Sequence, residues 1–463
     1  MVGIKRINVK LPARASIWYL GASAVAKGVG FLITPFFTRM ISGEAYGELT
    51  LYLSLVGIAS VGCSAVNTGS AIYKEMKNFE NERQSFLKSA LLVSLSFSAL
   101  ICLVLFAFSP FFKLTPHLYI PLTLQIICDG IAAVALSSEK FSYRYKTVTL
   151  INLLSSVLPA LITLALLKAV AGRIRIRIYA LLTISVCIAI WSLIKILRSG
   201  SRANKKMAVS LIKSASPLIP HSISTALSGQ ADKLIIPYFL GAFALAKYSV
   251  IHSLGVALQF MVSAVGFALG PWMIRRLEGG EYKKISVLVA ILLSVFSALS
   301  LCLIALAPEA MKILAPKEYL DAFPALLPIA LTTPLVLFSS VVTVCLVHSN
   351  KGLSTVTVSL VGAVTNLILN FTLIPKLSYL GAGLAMFLSS LASTLTGLCL
   401  LLRARLGEVL SARKISKILI PTVALGTLLF LLFDLLALRV ILLTVPAVML
   451  LNAFYSLKGL IVE

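Results

Sequence analysis

The sequence predicts an all-α polytopic membrane protein with fourteen transmembrane helices and a central polar cavity. Its composition carries this prediction: 59% of the 463 residues are hydrophobic, 12% are charged, and the mean hydropathy is +1.00. Soluble domains contain about 25% charged residues and about 45–50% apolar ones. The composition therefore excludes a water-soluble enzyme, a disordered chain and a disulfide scaffold.

The basic residues of the chain separate long apolar runs. The formal net charge is +25, from 41 Lys+Arg against 16 Asp+Glu. A domain that binds nucleic acid keeps its basic residues together on a wet surface, so we expect no nucleic acid among the partners. The seven cysteines lie far apart and form no metal-binding or redox pattern. The sequence therefore predicts no cofactor and no bound metal.

Fourteen stretches are long and apolar enough to cross a membrane, since about 20 such residues cross about 30 Å of hydrocarbon. With the N-terminus in the cytoplasm, 28 Lys and Arg fall in predicted cytoplasmic segments and 11 in outer ones, as the positive-inside rule requires. We therefore expect a multi-pass protein of the cytoplasmic (inner) cell membrane with both termini in the cytoplasm. The predicted spans are 16–40, 46–70, 87–112, 118–138, 147–170, 177–197, 214–241, 247–272, 284–307, 323–347, 354–375, 380–402, 416–436 and 438–457.

A short repeated pattern predicts two halves. Pro35 lies near the outer end of span 1 and Pro237 near the outer end of span 7, and Tyr46 and Tyr248 each follow 11 residues later. Transporters often contain such paired repeats, with the substrate site near the midplane between them. We predict an N-terminal six-helix half at 1–197, a cytoplasmic linker at 198–213, a C-terminal six-helix half at 214–402 and two extra helices at 403–463.

Polar residues recur every three or four positions along spans 1, 2, 7 and 8. This spacing puts them on one face of each helix, and that face is costly to turn toward lipid. We therefore expect the four helices to line the cavity between the halves. The alternative is that the small residues only let helices pack closely. The stripes contain Ser23, Lys27, Gly30, Thr34 and Thr38; Gly57, Ser60, Ser64 and Asn67; His221, Thr225, Ser228, Gln230, Asp232 and Lys233; and His252, Gly255, Gln259, Ser263 and Gly266.

Ionisable residues within the spans indicate an anion-binding site. A Lys or Asp at the bilayer centre costs about 2.5–3.5 kcal/mol and usually faces a cavity or a partner. Lys27 and Asp129 lie near the middle of their spans, and Lys233 lies somewhat toward the outside. We predict that Lys27 and Lys233 bind an anion, while Asp129 and Asp232 pair with them or accept protons during transport. The alternative is a static Asp129–Lys27 or Asp232–Lys233 pair that fixes helix packing.

Several short motifs occur in an order and spacing that resemble a known family. The resemblance covers residues 15 to about 405, and it is to the polysaccharide-transporter branch of the multidrug/oligosaccharidyl-lipid/polysaccharide flippase superfamily. The motifs are Pro35-x-x-x-Arg39, Tyr46-Gly47, Pro217, Asp232-Lys233-x-x-Ile236, Gly241, Tyr248, Tyr319-x-x-Ala322, Asn366-x-x-x-Asn370, Ile374-Pro375 and Gly381-Ala382-Gly383.

The resemblance implies a flippase that moves a polyprenyl-pyrophosphate-linked oligosaccharide from the inner to the outer leaflet by alternating access. By this resemblance, Arg39 and Lys233 are the basic residues that the family is expected to have in the N-terminal and the C-terminal half. Together with the stripes, this makes Lys27, Arg39, Asn67, Gln230, Lys233 and Gln259 the predicted substrate-binding residues. The implied partners are the lipid-linked oligosaccharide, membrane lipids and a polymerase or glycosyltransferase, around a monomeric chain.

Three alternatives remain open for the function. Lipid II flippases of the superfamily are more arginine-rich in their first helices, and its drug–cation antiporters usually carry an acidic residue in helix 1, which this chain lacks. A membrane-embedded polysaccharide polymerase needs a long outer loop, whereas the longest predicted outer segment runs from about 307 to 323. The four histidines are scattered and no ATP-binding GxxxxGK[ST] pattern occurs. We therefore do not expect an enzyme.

Overall fold

The computed structural model describes residues 10–64, 66–67, 69–112, 116–166, 173–198, 200–349, 352–404, 412–433 and 435–462. Within these ranges the chain forms seventeen α-helices, two 3-10 helices and no strand, which confirms the predicted all-α class. The described residues form two compact units, one from Met1–Ile41 and Leu51–Ala226 and one from Ser42–Thr50 and Leu227–Glu463. The predicted halves, linker and extra helices stay a prediction.

The first unit contains the helices α1 to α8, apart from the first turns of α2, and the start of α9. Within it α1 packs on α6, and α5 packs on α4 and α7. These helices are α1 (Lys10–Met40), α2 (Gly43–Ser64), α3 (Gly69–Asn78), α4 (Arg83–Ala107), α5 (Pro116–Phe141), α6 (Tyr145–Leu166), α7 (Arg173–Leu197), α8 (Lys205–Ala215) and α9 (Ile219–Leu240).

The second unit contains the rest of α9 and the helices α10 to α17. One of its apolar cores lies among α11, α12 and α13, around Met273, Phe296 and Phe338. The helices are α10 (Ala242–Gly255), α11 (Ala257–Glu278), α12 (Tyr282–Leu314), α13 (Leu326–His348), α14 (Gly352–Arg403), α15 (Ala412–Leu431), α16 (Leu436–Leu442) and α17 (Thr444–Val462). A 3-10 helix, Lys317–Ala325, precedes α13.

Each of the fourteen predicted spans overlaps at least one described helix, and the chain is a multi-pass membrane protein. Ten stretches of the described residues are long and apolar enough to cross a membrane, and the pair α10 and α11 makes an eleventh. One of the ten, 354–403, holds two predicted spans. Span 7 corresponds to α9, which is not among these stretches because Gln230, Asp232 and Lys233 interrupt its apolar sequence. The apolar stretch of α15 is shorter, Ile415–Leu431.

Several predicted spans are broken or end early. Span 8 is two helices, α10 and α11, bent by 42°, and span 14 is α16 and α17. Span 2 ends at Ser64, so Asn67 lies in the turn that follows and not on the predicted helical stripe. α14 is broken at Ser378, which has φ 52° and ψ −130°, and this break separates spans 11 and 12.

Two short amphipathic helices, α3 and α8, were not predicted as helices, and they pack together in the first unit. The Glu75 carboxylate of α3 accepts hydrogen bonds from Ser210, at 2.7 Å, and from Ser214, at 2.5 Å, both on α8. Burial alone raises the pKa of a carboxyl, but here the hydrogen bonds from Ser214 and Ser210 outweigh it and hold the pKa of Glu75 below its usual value. The basic segment at 198–213 is therefore largely a packed helix.

A close backbone contact explains the glycine of the Tyr46-Gly47 motif. Gly47, at the start of α2, belongs to the second unit with Ala242. A Cβ added to Gly47 would lie 1.8 Å from the carbonyl oxygen of Ala242. Because no side chain fits at that distance, only glycine allows α2 to approach the start of α10 this closely.

Candidate functional site

The second unit holds a buried carboxylate within a helix, that of Asp232 on α9. Asp232 is 4% exposed. Its carboxylate accepts hydrogen bonds from the hydroxyl of Tyr248 and from the backbone N–H of Lys233, the latter at 2.9 Å. The Nε2 atom of His252 lies 3.7 Å from Asp232 Oδ2. A buried polar group is costly unless it is hydrogen-bonded, so the bonds from Tyr248 and Lys233 offset part of the cost of burying this side chain.

A tight turn brings these side chains together. α9 ends at Leu240, and Gly241 follows with φ 88° and ψ 169° before α10 begins at Ala242. This positive φ suits glycine, which lacks a Cβ. Tyr248 and His252 are four residues apart on α10, so both lie on the face that contacts Asp232.

Lys233 and Gln259, two predicted substrate-binding residues, contact polar side chains in the same unit. The Lys233 Nζ donates a hydrogen bond to Gln230 Oε1 at 3.1 Å, one turn earlier on α9. Gln259 Nε2 donates to Thr332 Oγ1 at 2.8 Å, which joins α11 to α13. Both Gln230 and Lys233 are half-buried. Their polar side chains therefore bond to each other and still have part of their surface exposed.

The first unit has its own carboxylate inside a helix, that of Asp129 on α5. Asp129 Oδ2 accepts a hydrogen bond from Ser60 of α2 at 2.8 Å, and Oδ1 accepts one from Ser185 of α7 at 3.2 Å. One turn earlier on α5, Gln125 Oε1 accepts a bond from the Tyr52 hydroxyl of α2 at 2.6 Å. Asp129 therefore joins three helices at a polar centre.

Asn67 lies in the turn that follows α2. Its side chain is fully buried, and within the described part of the chain neither its amide oxygen nor its amide nitrogen has a hydrogen-bond partner. Its backbone carbonyl accepts a bond from Ser137 of α5 at 2.7 Å. Asn67 therefore lies against α5 in the turn after α2, where its unsatisfied amide is costly.

Lys27 and Arg39 lie on α1 in the first unit, and both side chains are exposed. Arg39 Nη1 donates a hydrogen bond to the Pro35 carbonyl at 3.3 Å, one turn earlier on α1. Lys27 and Lys233 belong to different units. The shared anion-binding cavity that the polar stripes predict stays a prediction.

Sequence reasoning missed Tyr52, Gln125, Ser185 and Thr332. One signal was available: Gln125 and Asp129 are four residues apart, so they share a face of α5. Tyr52, Ser185 and Thr332 occur in largely apolar helices without a recurring polar pattern, and their roles depend on which helices meet. Within the described residues, no group of three or more His, Cys, Asp or Glu could hold a metal ion.

A comparison of the sequence with known protein families shows which family the chain belongs to. Residues 13–277, more than half of the chain, match the family described as "Polysaccharide biosynthesis protein". The chain belongs to this family. The resemblance drawn from the sequence motifs is thereby confirmed. No curated protein sequence matches the chain significantly.

Solved structures show which fold this member of the polysaccharide biosynthesis family has. It is similar to the lipid II flippase MurJ in an inward closed conformation, with a TM-score of 0.73 at 12% identity, over 95% of this chain and 98% of that one. It is also similar to a multidrug resistance MATE family transporter of the MOP superfamily. The outward-facing MATE structure gives a TM-score of 0.56 at 14% identity, over 86% of this chain and 96% of that one. The inward-facing MATE structure gives a TM-score of 0.54 at 13% identity, over 83% of this chain and 95% of that one.

Proposed function

We propose that this protein translocates a polyprenyl-pyrophosphate-linked oligosaccharide from the inner to the outer leaflet of the cytoplasmic membrane. Membership of the polysaccharide biosynthesis family and a fold similar to that of a lipid-linked-substrate flippase support this substrate class. The observation that carries the proposal is the buried Asp232–Tyr248 pair beside Lys233, because it places a carboxylate and a cation within a membrane helix. Such groups mark substrate and ion pathways.

The chemistry of the substrate explains why a protein is needed. A hydroxyl or amide placed in hydrocarbon without a hydrogen-bond partner costs roughly 2–7 kcal/mol, so a sugar chain with a pyrophosphate does not cross unaided. Lys27 and Lys233 offset the phosphate charge, and Arg39, Asn67, Gln230 and Gln259 bind sugar or phosphate oxygens. The prenyl tail stays in the lipid.

Asp129 and Asp232 are the proposed coupling residues. Each carboxylate is held by hydroxyl donors from neighbouring helices: Ser60 and Ser185 at Asp129, and Tyr248 at Asp232. Protonation of a carboxylate removes its charge and changes which of these bonds it accepts. Outward movement of a net negative charge gains about 2.3 kcal/mol per charge per 100 mV in an inside-negative potential.

Reconstitution tests the proposed substrate class. The full-length protein is placed in proteoliposomes that contain a polyprenyl-pyrophosphate oligosaccharide, and outward transfer is read from its accessibility to a sugar-oxidising or lectin probe. We expect transfer with the wild-type protein and at least about tenfold slower transfer with Lys233→Ala, since a lost charge-assisted bond costs about 1.5–3 kcal/mol. Lys283→Ala, which removes an exposed cation in the first turn of α12, is the matched control. No transfer by the wild-type protein contradicts the proposal.

A second candidate substrate is lipid II, which the fold similarity to MurJ favours. It shares the polyprenyl pyrophosphate but carries a peptide. The same proteoliposomes with lipid II distinguish the two, and proteoliposomes with a cationic dye test a drug antiporter. Faster transfer of lipid II than of the oligosaccharide reassigns the substrate.

A further inference from the structure

A small polar cavity lies at one end of the first unit, apart from the residues assigned to transport. It has a volume of about 150 Å³ and lies where α4 begins and where α5 and α7 end. Four ionisable side chains line it: Arg83, Glu139, Arg144 and Lys195. These positions fall in or next to the predicted cytoplasmic segments between spans 2 and 3, spans 4 and 5, and spans 6 and 7, so we expect the cavity to lie at the inner membrane surface.

Arg83 is held rigidly on one side of this cavity. Its Nη2 donates hydrogen bonds to the Ser138 carbonyl and the Ser138 hydroxyl, both at 2.9 Å, and to the Ser142 hydroxyl at 2.6 Å. Its guanidinium carbon lies 5.3 Å from the centre of the Phe141 ring. A guanidinium has five N–H donors in a fixed fork, and the three bonds all come from one nitrogen. The remaining N–H groups are therefore pre-oriented donors.

Glu139 and two cations line another part of the cavity. The Glu139 side chain is 3% exposed, and it forms ion pairs with Lys195 and, at 3.7 Å, with Arg144 Nη1. The side chain of Lys195 is 31% exposed and that of Arg144 is 64% exposed. A lysine has three N–H donors, so Lys195 retains donors for a ligand while it contacts Glu139.

The charges of the lining residues do not cancel. Three cations and one carboxylate leave a formal charge of +2 around the cavity. The cavity lies where α4 begins and where α5 and α7 end. At the inner membrane surface, where we expect it to lie, both the phosphate groups of membrane lipids and free anions would reach it. A phosphomonoester carries about −1.5 to −2 charges at pH 7 and has three strong acceptor oxygens.

We propose that this cavity binds a phosphate dianion, either as a monoester group or as inorganic phosphate. Its charge matches that of the lining, and its oxygens accept charge-assisted bonds from Arg83, Lys195 and Arg144. The volume holds several water-sized groups, which is enough for the five heavy atoms of one phosphate. A headgroup such as that of phosphatidic acid and inorganic phosphate share this chemistry, and the experiment below distinguishes them. The site is separate from the transport residues, so it stands or falls independently of the proposed substrate.

Opposite responses of two variants separate a binding site from a structural tether. Lys195→Gln removes a donor and a cation, and we expect it to weaken phosphate binding at least about tenfold. Glu139→Gln removes the one competing negative charge, and we expect it to strengthen binding by about tenfold. If the Glu139–Lys195 ion pair only holds α5 and α7 together, both variants lower thermal stability and neither changes the response to phosphate. Lys206→Gln, at an exposed lysine of α8, is the matched control.

Lysine acetylation tests the site in the unaltered protein as well. Full-length protein in phosphatidylcholine nanodiscs is titrated with inorganic phosphate at constant ionic strength, and the acetylation of each lysine is followed by mass spectrometry. In a second arm the nanodiscs contain phosphatidic acid and no phosphate is added. Slower acetylation of Lys195, but not of Lys206, in the first arm identifies free phosphate as a ligand, and in the second arm it identifies a headgroup.

Either result supports the proposal, and the variants are then assayed in the arm that showed protection. Unchanged acetylation of Lys195 in both arms overturns it. Equal protection of Lys195 and Lys206 overturns it too, because that pattern reports general screening. Because the labelling uses the wild-type protein, a variant that fails to fold leaves the test intact.

Discussion

The hydroxyl of Tyr248 on α10 donates a hydrogen bond to the carboxylate of Asp232 on α9, and both residues are buried. The turn at Gly241 sets this pairing, since it joins the two helices without an intervening loop. The pair joins two of the sequence motifs and lies next to Lys233. It therefore connects the fold of α9 and α10 to the proposed transport chemistry.

Tyr248→Phe removes this hydroxyl and keeps the ring. We expect it to destabilise the protein by about 1–3 kcal/mol, because the buried carboxylate loses a donor, and to slow transport. Thermal unfolding in detergent measures the first effect and the proteoliposome assay the second. Tyr455→Phe, at a 69% exposed tyrosine of α17, is the control. An unchanged unfolding temperature in Tyr248→Phe contradicts the role assigned to the bond.

Asp129→Asn tests proton coupling in the first unit. The amide keeps an acceptor for Ser60 or Ser185 but cannot take up a proton. We expect near-normal membrane abundance together with transport that no longer responds to an imposed pH gradient. The measurement compares transfer rates with and without that gradient, and Glu318→Gln serves as a control in the second unit. A retained response to the gradient would remove Asp129 from the coupling mechanism.

Gly47→Ala tests the close approach of α2 to Ala242. The added Cβ would lie 1.8 Å from a backbone oxygen, which neither side can relieve without moving a helix. We expect a loss of several kcal/mol of stability, of the size typical for overpacking and strain, and low membrane abundance on immunoblots. Gly21→Ala, where nothing lies within 4 Å of the added Cβ, should accumulate normally. Equal abundance of the two variants would argue against this contact.

The lowered pKa of Glu75 predicts an acid-sensitive contact between α3 and α8. A carboxyl whose pKa is lower in the folded state than in the unfolded state adds stability above the unfolded value, about 4.3, and loses it as the pH falls through the folded value. The difference in unfolding temperature between wild type and Glu75→Gln should therefore be largest at neutral pH and shrink below about pH 4. Glu82→Gln, at an exposed position, should show no such pH dependence. A difference that stays constant with pH would contradict the prediction.

The helices could be predicted from the sequence because apolar length and basic flanks depend on local composition. Asp232, Lys233 and Asp129 were found for the same reason, since a charge in an apolar run stands out. Thr332 and Ser185 were not found, because a single hydroxyl in a helix acquires its role only from the helix that packs against it. The break at Ser378 was anticipated as a boundary between spans, whereas the bend between α10 and α11 carries no proline to mark it.

The basic linker shows a further limit of local reasoning. The sequence marks 198–213 as charged and therefore cytoplasmic, yet most of it folds into α8, whose Ser210 and Ser214 satisfy a buried glutamate more than a hundred residues away. Likewise, Lys195 reads as one more basic residue at a span end, and only the structure pairs it with Glu139. Contacts of this kind depend on packing between distant segments.

The central claim is that Lys27 and Lys233 both bind the anionic head of a lipid-linked oligosaccharide. Charge reversal of each lysine, expressed in a strain that lacks its own flippase, tests this most directly, with surface polysaccharide and membrane abundance measured together. We predict that Lys27→Glu and Lys233→Glu each abolish surface polysaccharide at wild-type abundance, while Lys283→Glu restores it. Full restoration of surface polysaccharide by either Lys27→Glu or Lys233→Glu would contradict the claim.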